Sequence, residues 1–299
     1  MKLSSCAKCC CIVLFMSVSG LVRMRFLTEL RLSFRQLLLA GLHIAVATPA
    51  LADDPSTDGK SGFVVTLGGN VEYAPSYPGS SHQSLGAIPS FDIRRMDEPD
   101  ENSAPDDNID YSLFDAENFE AGPVLGFRDR RSVMDDERLG GLRKIEWSPD
   151  FGIFAQHWLV PDKLRLRTEV RQGLFNDSGI VADFGADWFM QLTDDLTISV
   201  GPRLSAGSSR YMKTYFSVSD AEAASNGAVT AFQAPGGLQS AGLTIAASYQ
   251  VTPTITMGVY NRFDRLLGDA ADSSTTQAFG RENQNTIGIS LTKSFQVSL

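Results

Sequence analysis

Past Asp53 the chain has no cysteine, because its four thiols, Cys6, Cys9, Cys10 and Cys11, all precede that point. The remainder can hold no disulfide framework, no thiolate metal site and no cysteine nucleophile. A chain exported into an oxidising compartment avoids mispairing by lacking thiols. Histidine is nearly as scarce, with three in 299 residues. No stretch after residue 52 reaches the roughly eighteen apolar residues of a membrane helix, and no 3.6-residue apolar stripe stands out. Gly-rich phosphate loops, zinc spacings and EF-hand patterns are missing, so nothing calls for a cofactor or a metal. Positive charge is short as well. The formal charge is -9, and six of the 26 basic residues but only one of the 35 acidic ones lie before Asp53. Nucleic acid and anionic membrane surfaces are poor partners for so acidic a chain.

Residues 1–52 read as a leader. From Met24, Arg25, Arg31 and Arg35 form a basic region, Leu37 to Val46 an apolar stretch too short to span a bilayer, and Ala50-Leu51-Ala52 a cleavage site. Met24 is the expected start, with residues 1–23 an upstream extension. Cys6 precedes any apolar stretch and is poorly placed for a lipid anchor. Residues 53–299 form one β domain.

Within that domain, apolar residues recur every second position. Ile287, Ile289, Leu291, Phe295, Val297 and Leu299 alternate with Gly288, Ser290, Thr292, Ser294, Gln296 and Ser298, Lys293 alone breaking the row. A period of two places one set on each face of a strand. The same alternation runs through Phe63–Tyr73, Leu196–Leu204, Leu243–Val251 and Ile255–Phe263. Tight turns at Pro161-Asp162-Lys163, Thr193-Asp194-Asp195 and Thr252-Pro253 separate longer links, near 132–144, 176–178, 213–237 and 268–284. Outer-membrane barrels keep short turns in the periplasm and long loops outside. Counting back from a periplasmic C-terminus gives strands near 285–295, 254–267, 238–251, 196–212, 179–192, 163–175, 145–159, 119–131, 85–95 and 62–74. Ten is even and returns the N-terminus to the periplasm. Residues 96–118 form an unusually long periplasmic link, which could hide a further hairpin, giving twelve strands, or fold into the lumen.

The expected fold is therefore all-β, a transmembrane antiparallel up-and-down β-barrel of about ten strands in the outer membrane of a Gram-negative bacterium, with lipid against its outer face. Tyr73, Phe127, Trp188, Tyr249 and Phe263 would form its aromatic girdles. Ile287, Ile289, Leu291 and Phe295 would close it. Arg165, Arg167, Glu169, Arg171, Arg203, Arg262 and Asp264 would line the lumen as a paired network, because unpaired charges in a narrow barrel are costly. Barrels of about eight strands are filled by side chains, and open channels come near sixteen. A wide pore is thus disfavoured, while a narrow or gated path stays open.

A Ser–His–acid hydrolase needs a histidine beside a serine. His43 lies in the leader, and His157 shares the lipid-side phase of Phe151 and Ile153. His82, in Ser80-Ser81-His82-Gln83-Ser84, has serines only as loop neighbours. The expectation is a protein that is not an enzyme.

Several ordered motifs carry a resemblance. Tyr73-x-Pro75-x-Tyr77-x-Gly79-Ser80, Tyr211-Met212-x-x-Tyr215-Phe216-x-Val218, Gly236-Gly237-Leu238 and Leu266-Leu267-Gly268-Asp269-Ala270-Ala271-Asp272-Ser273 are similar to elements of the MipA/OmpV family of outer-membrane proteins. Ser217 stands where that family usually has glycine, residues 94–112 match poorly, and Phe295 is followed by four more residues. The last strand should accordingly be longer than usual. The resemblance implies a scaffold for murein-remodelling enzymes, a murein lytic transglycosylase and a penicillin-binding murein synthase. It implies no catalytic residues. A channel-like or osmotic-response barrel is the alternative. On the scaffold reading the 96–118 link would dock a basic protein surface in the periplasm, through Asp97, Glu98, Asp100, Glu101, Tyr111 and Phe114, with Asp106, Asp107 and Asp110 adding charge.

Overall fold

The computed structural model describes residues 62–97, 101–175 and 178–298. The leader, its cleavage site, Glu98, Asp100 and Leu299 lie outside the described residues. Ten long antiparallel strands make the wall. These are β1 (Gly62–Pro75), β2 (Gln83–Arg95), β5 (Phe119–Arg128), β6 (Ser148–Val160), β7 (Leu164–Gly173), β8 (Ile180–Gln191), β9 (Leu196–Gly207), β10 (Gly237–Thr252), β11 (Ile255–Leu266) and β12 (Asn283–Ser298). Two short strands, β3 (Ile109–Asp110) and β4 (Phe114–Ala116), lie between β2 and β5.

Each long strand from β5 to β12 pairs with the next, and β12 turns the sheet back onto β1 in register from Ile287↔Tyr73 to Ser298↔Gly62. The last strand is long, as expected, and Val297 continues the phase of Phe295. Closure is incomplete at one seam. β2 pairs with β1 alone, while the free edge of β5 is taken by β3 and β4. Both readings of the 96–118 link thus hold a part of the outcome: a short hairpin-like return against β5, and a fold into the lumen.

The outer face is apolar where a water-soluble protein would be polar. Ile289 is 58% exposed, Leu291 54% and Phe295 43%, and Tyr73, Trp188, Tyr249 and Phe263 are similarly bare near strand ends. An apolar belt of this extent marks contact with lipid, and a barrel is the β architecture that satisfies its main chain there. The turns at 161–163, 192–195 and 253–254 share one end with both termini of the wall. Barrel convention puts that end in the periplasm.

At the opposite end the long loops fold over the opening. β9 stops at Gly207 instead of continuing to 212, because Ser208 caps a helix with its side chain, accepting from Tyr211 N–H. The motif Tyr211-Met212-x-x-Tyr215-Phe216 therefore lies on α1 (Ser209–Phe216), not on a strand. α2 (Asp220–Asn226), closed by a Ser219/Glu222 capping box, α3 (Gly268–Asp272) and α4 (Ser274–Phe279) complete the cap. Met212, Tyr215, Phe216, Leu266 and Ala270 form its core with Ile145 and Val181, and Tyr77, Leu139, Val218, Val229 and Phe279 form a second cluster.

Candidate functional site in the barrel lumen

Alternation along β7 sends Arg165, Arg167, Glu169 and Arg171 inward and Leu166 and Val170 to lipid. Arg165 is 1% exposed and Arg167 6%. Charges so deep need partners, and the neighbouring strands supply some. Arg165 Nη2 meets Asp187 Oδ2 on β8 at 2.9 Å, Arg167 Nη2 meets Glu169 Oε1 at 2.8 Å, and Arg171 Nη2 meets Asp183 Oδ2 at 2.5 Å. Arg203 on β9 reaches Asp187 at 2.7 Å, and Arg262 Nε reaches Asp264 at 2.7 Å on β11.

The remaining partners come from the 96–118 link. Asp106 receives a bidentate pair from Arg203, Nη2 to Oδ1 at 2.8 Å and Nε to Oδ2 at 2.9 Å, and a further bond from Thr244 Oγ1 at 3.0 Å. Arg262 Nη1 lies 3.3 Å from the same carboxylate. Arg165 Nη1 meets Asp107 Oδ2 at 2.8 Å, Arg167 binds Asp110, and Asn108 donates to Glu169 at 2.7 Å. Asn70 holds the Pro105 carbonyl at 2.9 Å. Gly126 makes room, since a Cβ there would lie 2.8 Å from Asn108 Oδ1.

The link therefore plugs the lumen through Asp106, Asp107, Asn108 and Asp110, the inward course that was one of those expected for it. The lumen guanidiniums are shared between carboxylates of the wall, Asp183 and Asp187 among them, and Asp106, Asp107 and Asp110 of the link. Of the proposed docking residues, Asp97 stays at the rim, paired with Arg95 at 3.0 Å. Tyr111 and Phe114 remain exposed, Phe114 edge-on to Phe119 on the outer side of β5. Glu101 accepts from Trp158 Nε1 at 2.8 Å. Partial burial, a hydrogen bond with Glu120 and the like charge of Glu120 push the Glu101 carboxyl up to about 7.

Above the plug, and beneath the cap, the lumen keeps a chamber of about 370 Å³. Asp106, Asp107 and Asn108 line its floor, Glu72, Arg128, Asp150, Arg171, Asp183 and Tyr260 its wall, and Tyr77, Tyr211 and Tyr215 its roof. Asp150 and Asn108 went unnoticed in the sequence. Asp150 was legible in principle, having the inward phase opposite Phe151 and Ile153.

On the outer surface His82 Nδ1 lies 3.2 Å from Asp136 Oδ2. Burial alone would raise the Asp136 carboxyl, but the Arg138 bonds outweigh it and hold Asp136 below the usual carboxylate range. The adjacent serines are otherwise engaged. Ser80 Oγ accepts from His82 N–H, and Ser81 Oγ donates to the Phe279 carbonyl at 2.5 Å. His157, on the lipid side, bonds the Asn118 carbonyl at 2.8 Å. Among the described residues no helix is long and apolar enough to cross a membrane.

Solved structures similar to this chain include a NanC porin, at 10% identity and a TM-score of 0.36 over 78% of this chain and 100% of that one. An outer-membrane channel from Pseudomonas putida F1 gives 9% identity and a TM-score of 0.39, covering 82% of this chain and 100% of its own. OmpT of Vibrio cholerae gives 8% and 0.33, over 82% and 99%. No curated protein sequence matches the chain. The family model described as MltA-interacting protein MipA, however, matches residues 67–295, nearly the whole wall with its plug and cap. This outer-membrane β-barrel belongs to the MltA-interacting protein MipA family.

Proposed function

We propose that the barrel is a narrow, non-catalytic outer-membrane conduit held shut by its own acidic plug. One observation carries this reading. The plug is seated by charge and hydrogen bonds, and Ala104 is its one buried apolar residue among those described. An element fixed by core packing stays put, whereas one held by ion pairs responds to ionic strength and to competing ligands. The chamber above it gives a solute a place to wait. The cysteine-free wall makes a direct test simple. Asp106→Cys with Thr244→Cys, in contact in the parent, should form a disulfide that locks the plug. In planar bilayers the reduced protein should show intermittent conductance and the oxidised protein none. If the reduced form is silent at every voltage and salt concentration, the conduit reading fails.

A second reading, an adaptor for murein-remodelling enzymes, is favoured by the family's own description as MltA-interacting. Asp97, Tyr111, Leu113 and Phe114 are exposed residues of the link available for it. Photo-crosslinking in cells from Asp97 and Tyr111 tests it. Capture of a lytic transglycosylase or a murein synthase, lost on replacing Tyr111 and Phe114 by Ser, supports the adaptor. Labelling of lipid alone removes it.

A further inference from the structure

The seam between β2 and β5 has a chemistry of its own. Above Ile109↔Leu125, the last register pair of β3, residues 126–128 of β5 have no strand neighbour on that side. From Gln83 to Phe91 the facing edge of β2 has no strand partner among the described residues. Main-chain groups left bare in hydrocarbon are costly, so something with polar and apolar parts belongs there. The chamber reaches this seam, because Ile88 on β2 and Phe127 on β5 both line it. Gly86, inward on β2 opposite Glu72, leaves a window, with no atom within 4 Å of where a Cβ would stand.

Two carboxylates flank that window. Glu72 projects inward on β1, and Asp129 follows the last residue of β5 and feels the like charge of Glu72. Glu72 accepts from Tyr260 Oη, and neither carboxylate has an ion-pair partner among the described residues. The lining as a whole carries nine carboxylates and five guanidiniums, so the chamber favours a cation. Acceptors are also in surplus. Gln284 Oε1 has no hydrogen-bond partner although its side chain is buried, and its Nε2 donates to Arg281 and Ser80 carbonyls, which fixes the amide's orientation. Beside this polar pocket the seam offers Leu85, 76% exposed, to the bilayer, while Ile88, in phase with Gly86, stands at the chamber's edge.

We propose that the chamber binds an amphiphile with a primary-amine head, reached laterally from the outer leaflet through the β2–β5 seam. The ammonium sits between Glu72 and Asp129, its N–H groups meeting the spare acceptors, and the alkyl chain leaves past Ile88 into lipid. This holds whether or not the plug ever moves. Uptake of radiolabelled dodecylamine by the full chain in lipid nanodiscs, corrected for empty nanodiscs, tests it. Binding should saturate at one site, weaken tenfold or more in Glu72→Gln and in Asp129→Asn, and disappear in Gly86→Trp. Dodecanoate should not compete, and 1,4-diaminobutane should compete at least tenfold less well than dodecylamine. Heat-modifiable migration on gels shows that each variant is folded, and Glu72→Gln keeps the shape and the Tyr260 bond should Gly86→Trp misfold. Absence of saturable binding, unchanged affinity in both carboxamide variants, or equal competition by 1,4-diaminobutane overturns the proposal.

Discussion

Replacing Asp106 by Asn removes one charge from the seat of the plug and almost none of its volume. In the parent this carboxylate bridges Arg203 and Arg262 and accepts from Thr244. Breaking a buried pair by removing one partner typically costs about 3–5 kcal/mol, because the other charge is stranded. Here neither guanidinium is stranded: Arg203 keeps Asp187 at 2.7 Å, and Arg262 keeps Asp264 at 2.7 Å. The loss therefore falls lower, at about 2–3 kcal/mol, equivalent to about 30- to 150-fold in the ratio of seated to displaced plug. Single-channel recording in planar bilayers reads that ratio as open fraction. Asp106→Asn should conduct for a far larger share of the time than the parent. Asp97→Asn, which touches only the exposed pair with Arg95, should not. A folded Asp106→Asn barrel with the parent's open fraction across voltage and salt would refute the idea that this ion pair holds the lumen shut.

Ionic strength should act in the same direction. Raising salt from about 0.1 to 1 M shortens the Debye length from roughly 10 to 3 Å, and because buried pairs are screened less than exposed ones the open fraction should rise only modestly, and not at all in the disulfide-locked variant. Glu101 gives a pH signature. Its carboxyl is raised from 4.5 to about 7, so between those values the folded state holds a proton that the unfolded chain has lost. Stability contributed there must fall as pH rises through that window and level off above it. Thermal melts at stepped pH should show this slope, and Glu101→Gln should flatten it; an unchanged slope would clear Glu101 of any part. Finally, Leu291→Asp and Phe295→Asp put a charge on the lipid face of the closing strand. Such charges cost up to about 2–4 kcal/mol near mid-membrane, acids less. Both should deplete the heat-modifiable folded form, and normal folding of both would reverse the assigned facing of β12.

The wall was legible because its information is local. A side-chain period of two, an acidic or Gly/Pro turn and an even strand count are read directly from Phe63 to Val297. The cap was not. Ser208 ends β9 by capping, and Tyr211 and Met212 keep an apolar character that fits a strand or a buried helix equally well. The seven lumen positions named from alternation, Arg165, Arg167, Glu169, Arg171, Arg203, Arg262 and Asp264, all project inward. What alternation could not supply was the partner set, since Asp106 and Arg203 stand 97 residues apart.

Charge arithmetic inside the lumen resolves where the acidic link goes. On β7 three arginines accompany one glutamate, β9 adds Arg203 and β11 the Arg262–Asp264 pair, and β8 answers with Asp183 and Asp187. Held without further acids in a low dielectric, such a row would oppose folding. Asp106, Asp107 and Asp110 of the link, read as part of a solvated or docking segment, supply counter-charge beside the wall's own acids. Arginine is the suitable residue for the wall side, because its planar fork takes two carboxylates at once, as Arg203 does with Asp106 and Asp187. A lysine ladder could not bridge wall and plug this way. Charge that looks like surface in one part of the chain and like pore lining in another thus turns out to be two halves of one network, in which the link's carboxylates share guanidiniums that the wall's own acids also hold.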